Sequence, residues 1–305
     1  MNLSIAGLAI LLITAPAFAA PDDMDDAHQA LKEAVQAKKD AAEVKKLAAE
    51  AYALAHQLTT RPAPEGDAQK EAWTGQVAHA REIESYTEYA LYTAAIQGPA
   101  ATTVDLLSII EQQNPKSKYL DEGYSRYFVA LSQTGGASKI LAVAEKALAN
   151  FPNNEDLLLV LANSAMNRKQ SDRALSYAQR LVAAIGQHPK PEGISSADWE
   201  RKRNAALGRG NWIAGVISAE KTKYAPADKY LRAALPLIKD NEEMTASALF
   251  YLGLANFQLG KLMLKKAQVL EAAKFSEQVG AMNSPLAQQA RHNARVMRDE
   301  ATKMR

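Results

Sequence analysis

The fold is decided by residues 118–185, which read KYLDEGYSRYFVALSQTGGASKILAVAEKALANFPNNEDLLLVLANSAMNRKQSDRALSYAQRLVAAI. Pro115, Pro152 and Pro189 follow one another at a step of 37 residues. Three more sets keep that step: Ala100, Ala137 and Ala174; Val104, Leu141 and Ala178; Leu107, Ala144 and Leu181. A fixed period that holds small and large apolar residues in register is typical of a repeat protein. We therefore expect an all-α chain built from stacked pairs of helices.

Composition supports this class and excludes several others. The chain has 305 residues, of which 48% are hydrophobic, enough for a sizeable core. A formal net charge of +2 gives no reason to expect a nucleic-acid partner. The absence of cysteine excludes disulfides, thiolate zinc sites, thiol nucleophiles and a lipid anchor on cysteine.

The N-terminus predicts export. Residues 3–14 are mostly apolar, and Ala17-Phe18-Ala19 supplies the small residues that a signal peptidase site requires. We expect residues 1–19 to be a cleaved signal peptide, with a short membrane anchor as the alternative. The apolar run is shorter than the roughly 20 residues of a spanning helix. The mature chain, in which we expect no transmembrane segment, is thus predicted to be soluble in the periplasm or outside the cell.

The pattern along the chain predicts an N-terminal cap over 20–80 and a repeat array over 81–303, with about 11–12 helices in all. Two long helices, Asp25–Leu58 and Ala68–Ile96, are expected first. Further helices are predicted from Pro99 to Asn114, near 118–133, 137–150, 154–168, 171–186 and 197–221, from Tyr224 to about Pro236, near 243–259 and 262–280, and from Ser284-Pro285 to the C-terminus. Pro236 is expected to bend or end a helix, and Gly260 to end one. The polar segment 186–196 interrupts the array as an insertion.

Several segments carry a family resemblance. Leu158, Leu161 and Ala162 take the large, large and small positions of a first helix, and Ala174, Ala178 and Leu181 those of a second. The closest match is Tyr251–Gly260, which holds the Leu252-Gly253 pair and a glycine seven residues on. The chain resembles the tetratricopeptide repeat over roughly 81–297. This resemblance implies a right-handed α–α superhelix that binds protein segments. The period of 37 departs from the family's 34, and so do the insertion and extra turns after Gly260.

We find no motif of catalysis or metal binding. The histidines are His28, His56, His79, His188 and His292, and none has ligand spacing. His56 and His79 would meet only if the first two helices fold back on each other. Gly208-Arg209-Gly210 is a lone Gly-x-Gly without a preceding strand, so it does not predict a phosphate loop. We therefore expect a protein that is not an enzyme and holds no cofactor or metal.

The resemblance also predicts a groove lined by the first helix of each pair. Its candidate residues are Asp156, Leu159, Asn163, Met166, Asn211, Tyr251 and Asn256. Asparagine suits hydrogen bonding to a peptide backbone, and methionine suits adaptable packing. The alternative places Met166 in the core and leaves the asparagines as helix-end solvation.

A second candidate surface is basic. Arg291, Arg295 and Arg298 share one face of the last predicted helix, and Lys261, Lys265 and Lys266 are expected nearby. An acidic partner or anionic lipid headgroups would suit such a patch. The alternative is that these residues simply complement the helix dipole.

These patterns predict an exported scaffold that binds a protein or peptide in the cell envelope. The alternative is a small-molecule or glycan-binding protein with a pocket at 186–196, beside Trp199 and Trp212. The sequence leaves the partner's identity and the oligomeric state open.

Overall fold

The computed structural model describes residues 21–185, 187, 190 and 194–304. The predicted signal peptide at 1–19 and part of the predicted insertion at 186–196 lie outside the described residues. The helices, in chain order, are α1 (Pro21–Gln36), α2 (Ala41–Thr59), α3 (Asp67–Gln97), α4 (Ala100–Gln113), α5 (Lys118–Gln133), α6 (Ile140–Ala147), α7 (Glu155–Asn167), α8 (Ser171–Ala184), α9 (Ser196–Glu220), α10 (Tyr224–Ile238), α11 (Glu242–Leu262), α12 (Lys266–Ala281) and α13 (Ala287–Lys303). A short 3-10 turn, Ala137–Lys139, precedes α6.

The order of packing defines the fold class. From α6 to α13 each helix packs on the next one in the chain, and α9 also contacts both α7 and α11. The first helices of successive pairs therefore lie side by side, and each second helix lies between two of them. This is an all-α helical-repeat fold, as the 37-residue period predicted. The described residues hold 13 α-helices rather than 11–12, and they include no strand. None of these helices has the length and apolar character that crossing a bilayer requires.

The chain divides into two compact units between Ile110 and Glu111, inside α4. The first unit holds α1, α2, α3 and most of α4, and the second holds the rest. Residue 80, where the sequence predicted the cap to end, lies within the continuous helix α3.

The expected single helix over Asp25–Leu58 is wrong, because the chain breaks at Lys38. Lys38 has a φ of +52° and reverses the chain. Asp40 then caps α2, since its Oδ1 accepts hydrogen bonds from the backbone N–H groups of Ala42 and Glu43 at 3.0 and 2.9 Å. Helical spacing of apolar residues continues on both sides of the break, which is why the sequence reads as one helix.

Three other helices end at positions that the sequence predicted only in part. The helix expected over 137–150 is shorter, because residues 137–139 form a 3-10 turn and α6 ends at Ala147. Gly260 does not end its helix, since α11 continues to Leu262. Pro236 lies in the last turn of α10, two residues before the helix ends at Ile238, where the hydrogen bond lost with its missing N–H interrupts little of the helix.

One turn geometry recurs five times. In each case a residue with positive φ ends a first helix, and the next backbone N–H donates to the carbonyl five residues earlier, at 2.7–2.9 Å. The five residues with positive φ are Lys38, Gly135, Lys169, Thr222 and Leu264. This is the Schellman arrangement, which satisfies carbonyls that a helix end leaves free. The repeat is therefore visible in the backbone as well as in the sequence.

Small residues let the paired helices approach closely. A Cβ atom built on Gly215 of α9 would lie 2.5 Å from Cγ of Leu231 in α10. Leu231 is fully buried in a core cluster with Val216 and Leu252, so moving it would disturb the packing of its neighbours. By contrast, a Cβ on Gly75 of α3 would meet nothing within 4 Å.

We therefore predict opposite effects for two glycine-to-alanine substitutions. Gly215→Ala should lower the free energy of unfolding by about 1–2 kcal/mol, since overpacking outweighs the gain in helix propensity. Gly75→Ala should raise it by about 0.5–1 kcal/mol, because only the propensity changes. Urea unfolding followed by circular dichroism measures both. A Gly215→Ala protein as stable as the parent would contradict the close α9–α10 seam.

Candidate ligand-binding face

The first helices α7 and α9 run parallel and are joined by two polar contacts with the same spacing. Lys202 Nζ lies 2.8 Å from Asp156 Oδ2, and Arg209 Nε donates to Asn163 Oδ1 at 2.7 Å. Each pair is separated by 46 residues, nine more than the period of 37. The nine added residues correspond to the predicted insertion. We call the surface around these contacts the first-helix face.

Arg209 lies at the centre of this face. Its guanidinium stacks on the ring of Trp212, with Cζ 4.6 Å from the ring centroid. Nε is used by Asn163, and Nη1 lies 3.4 Å from Met244 Sδ of α11, a weak acceptor. No carboxylate among the described residues pairs with this half-buried cation. Burial lowers the pKa of Arg209, while the negative charge of Glu243 acts in the opposite direction.

The glycines on either side of Arg209 explain how it is positioned. A Cβ on Gly208 would lie 2.9 Å from Leu237 Cβ of α10, and one on Gly210 would lie 3.1 Å from Leu181 Cδ2 of α8. Helix α9 is thus held between two second helices at this level. Gly208-Arg209-Gly210 is a packing feature in mid-helix, and the arginine projects toward the neighbouring first helices instead.

The predicted groove residues divide into two groups. Asp156 and Asn163 make the two polar contacts that define the first-helix face, and Met166 packs against the same two core clusters as Trp212. Tyr251 of α11 also reaches α9, where its hydroxyl donates to Glu220 Oε1 at 3.1 Å. Burial, with Glu220 nearby, raises the pKa of Tyr251 to about 12, so the phenol stays protonated.

The other three groove candidates lie elsewhere. Leu159 packs against the core cluster that contains Leu158 and Leu181. Asn211 is buried, and its amide donates to the Leu207 carbonyl of its own helix at 2.9 Å. A buried asparagine that satisfies its own helix is not available to a peptide, so spacing alone misplaced Asn211.

Asn256 is also misplaced, because it belongs to a buried polar network. Its amide donates to Asp228 Oδ1 at 2.6 Å, and its carbonyl oxygen accepts from Gln268 Nε2 at 3.1 Å. Arg232 closes the network by pairing with both Asp228 and Glu271. A buried amide with all these partners fixes the α10, α11 and α12 packing.

The basic residues of α13 do not form a common free patch. Arg291 Nη1 donates to the Gly280 carbonyl at 2.5 Å. Arg298 pairs with Glu277 and lowers the pKa of that carboxyl. Only Arg295 has no polar partner among the described residues. Two of the three arginines that the sequence predicted on one helix face are therefore engaged within the described part of the chain.

His56 and His79 do not pair with each other, because each contacts a carboxylate. His56 Nδ1 lies 2.8 Å from Glu84 Oε1, whereas His79 Nε2 lies 2.6 Å from Asp25 Oδ1. The two rings that come close are His28 and His79, whose centroids are 6.4 Å apart. Within the described residues no group of three or more acidic, histidine or cysteine side chains is arranged to hold a metal.

The two tryptophans of the glycan alternative do not form one platform. Trp199 and Trp212 lie on the same helix, 13 residues apart, which corresponds to about 20 Å along the axis. Trp212 is covered by Arg209, and Trp199 has Lys202 over its ring at 6.0 Å. These two rings therefore do not form a single aromatic surface for a sugar.

Lys202, Arg209 and Met244 are the residues of the face that sequence reasoning missed. The sequence did contain a signal for this face. Asp156 and Lys202 are one pair of complementary residues, Asn163 and Arg209 are another, and both pairs are 46 residues apart. That spacing differs from the 37-residue step, so the period pointed to other positions.

The buried His28 makes the stability of the protein depend on pH. Its Nε2 is buried without a hydrogen-bond partner, and the ring meets Tyr86 edge-on at 5.1 Å. Burial, followed by Lys32 and His79, lowers the pKa of His28, while Asp25 and Glu82 oppose this. The folded state therefore favours neutral His28 and takes up its proton at lower pH than the unfolded chain does.

Stability that depends on neutral His28 should be complete above pH 6.5, its ordinary pKa, and should fall as the pH drops through the folded-state pKa. His28→Phe should reduce this loss, because the apolar ring keeps the edge contact and does not titrate. Urea midpoints at a series of pH values measure the effect. His292→Phe, an exposed site on α13, is the control and should leave the pH dependence unchanged. An unchanged dependence in His28→Phe would contradict the prediction.

Comparisons with known proteins do not identify a family. No protein-family model matches the chain, and no curated protein matches it significantly. The interpretation of its function therefore depends on the geometry of the first-helix face.

Proposed function

We propose that this chain is a helical-repeat scaffold that binds an extended protein segment along the first-helix face. The sequence features of the N-terminus support export and a place in the cell envelope, and the tetratricopeptide resemblance supports the binding of protein segments. The observation that carries the proposal is Arg209, a half-buried cation that contacts no carboxylate among the described residues.

The chemistry around Arg209 suggests what the ligand offers. Taking a guanidinium out of water is costly unless an anion accepts its hydrogen bonds. Asn163 and Met244 leave most of its five N–H groups available. A carboxylate on the ligand, from an acidic side chain or a C-terminus, would complete this set in bidentate geometry.

The neighbours of Arg209 suggest how the rest of the ligand is held. Met166 and Trp212 are partly buried and pack against the same core cluster, which contains Met244, so apolar and adaptable side chains adjoin the charged group. Asp156 and Lys202 lie two helical turns away along the same pair of helices. An acidic residue next to an apolar one in an extended segment fits this arrangement.

The same groups favour binding over catalysis. A guanidinium, an amide and a thioether are poor general bases, and none is a nucleophile at neutral pH. What they share is the ability to orient and hold a partner.

We predict that Arg209→Gln weakens peptide binding by about 10- to 100-fold, the loss expected for a charge-assisted pair. A peptide library selected on the purified chain should be enriched in acidic residues or a free C-terminal carboxylate. Titration of the selected peptides gives dissociation constants for parent and variant. Arg201→Gln makes the same charge change at an exposed site of α9 that pairs with Asp198, and it should leave the affinity unchanged.

Trp212 provides an independent readout. Because Arg209 stacks on its ring, a carboxylate that engages the guanidinium should change Trp212 emission. The chain has two other tryptophans, Trp73 and Trp199, and Phe at both positions isolates the signal. Selected peptides that bind Arg209→Gln as tightly as the parent would overturn the proposal, and so would peptides that leave Trp212 emission unaltered.

A further inference from the structure

The turn between α11 and α12 exposes three consecutive apolar side chains. Leu262, Met263 and Leu264 are 81%, 50% and 81% exposed. They account for half of the large hydrophobic residues that are exposed in the described part of the chain. Continuous exposure of this kind at a protruding turn is characteristic of an interaction site.

The other four turns of the same geometry serve as internal references. In each, the residue with positive φ and the two residues before it include no large apolar side chain. These triplets are Gln36-Ala37-Lys38, Gln133-Thr134-Gly135, Asn167-Arg168-Lys169 and Glu220-Lys221-Thr222. The turn geometry therefore does not require Leu-Met-Leu at 262–264.

Leu264 is also unfavourable for folding. Its φ is +55°, in the left-handed region where glycine is preferred and a Cβ is disfavoured. Its side chain is exposed and gains no burial in return. A role outside the folded chain accounts for leucine here better than stability does.

Lysines surround this apolar turn. Lys261, Lys265 and Lys266 flank it in sequence, and a shallow hollow of about 700 Å³ beside it is lined by Lys265, Lys266, Lys274, Ala267, Gln268 and Glu271. Glu271 is held by Arg232 at 2.9 Å. Lys261 is 3.9 Å from Glu300, and Lys266 donates to the Met304 carbonyl. Lys265 and Lys274 have no such partner among the described residues.

We propose that the α11–α12 turn docks on the surface of an anionic phospholipid bilayer. Leu262, Met263 and Leu264 enter the boundary between headgroups and acyl chains, while the lysines contact lipid phosphates. Lysine suits this position, because its long stem lies along the apolar layer while the ammonium reaches the headgroups. The hollow has room for a phosphate between Lys265, Lys266 and Lys274.

Charge argues for a bilayer over a second copy of this chain. Two copies meeting at this turn would bring their lysines together and repel each other. An anionic bilayer offers negative charge outside and an apolar layer beneath, matching the lysines and the turn. This docking uses neither Arg209 nor the first-helix face, so it is independent of the proposed peptide binding.

Vesicle sedimentation tests the proposal. The parent chain should bind vesicles of equal parts phosphatidylglycerol and phosphatidylcholine, and should bind pure phosphatidylcholine at least about tenfold more weakly. A swapped variant carries Leu262→Glu, Met263→Lys and Leu264→Thr, which copies the α9–α10 turn without changing the net charge. It should lose binding by about tenfold or more. Lys265→Gln with Lys266→Gln should weaken binding and reduce its dependence on salt.

The variant Leu264→Gly serves as the control for folding, because it relieves the strained φ and removes one apolar group. This variant should melt no lower than the parent and should bind vesicles more weakly. If it binds as strongly as the parent, Leu264 has no part in docking and the proposal fails.

A site-specific label gives a direct readout, since the chain lacks cysteine. An environment-sensitive fluorophore attached after Met263→Cys should shift to the blue on anionic vesicles. The same label after Arg168→Cys, at the matching position of the α7–α8 turn, should not shift. Equal vesicle binding by the swapped and parent chains would overturn the proposal. An oligomer that the swap dissociates without vesicles would instead assign the turn to a second copy.

Discussion

The close approach of paired helices at small residues is the constraint on which the second compact unit depends. Gly215 leaves room for Leu231, and Gly260 leaves room for Val269. In the α7–α9 region alanines dominate the buried contacts, with Ala174 and Ala178 fully enclosed. Backbones that approach so closely cannot shift without clashes, because a packed interior offers no spare volume. The register of each pair is therefore fixed by which residue lacks a side chain.

This constraint also determines where function has space to develop. Helix α9 is held on one side by α10 at Gly208 and on another by α8 at Gly210. A long side chain between these two glycines can extend only toward the remaining side, where α7 and α11 lie. Arg209 occupies that side and meets Asn163 and Met244. Its position at the centre of the first-helix face is thus a consequence of helix packing.

Much of the fold was predictable from the sequence, because helix pairs follow local patterns. The 37-residue step correctly placed α5, α7 and α8, and apolar spacing placed α3 to within a residue at each end. The break at Lys38 was missed since a lysine with positive φ has no compositional signal, unlike the glycine at 135. The hydrogen bonds of Asp40 decide that break, and they depend on the folded backbone.

The candidate site was less predictable, because it depends on register between non-adjacent helices. Asn163 lies on the first-helix face, and its partner Arg209 lies 46 residues away, beyond the inserted residues. Asn256 looked equivalent by spacing, yet it faces α10 and α12 and pairs with Asp228. The period of 37 residues predicts on which helix a residue lies, but it does not predict the residue's contacts on other helices. Which neighbour it meets is decided by the rotation and shift of the helices.

A repeat architecture supplies its own reference for separating packing from function. Five turns share one backbone geometry, so any side chain that the geometry demands should recur in all five. Only the α11–α12 turn carries leucine at the strained position, and it does so with two more exposed apolar residues before it. The same reasoning applies to α9. Its residues lie 46 positions after the α7 residues that they contact, and Arg209 lies between two glycines that pack closely on neighbouring helices. Neither Leu264 nor Arg209 is needed for the helices to pack on one another. Binding to another molecule is the simplest physical reason for their presence.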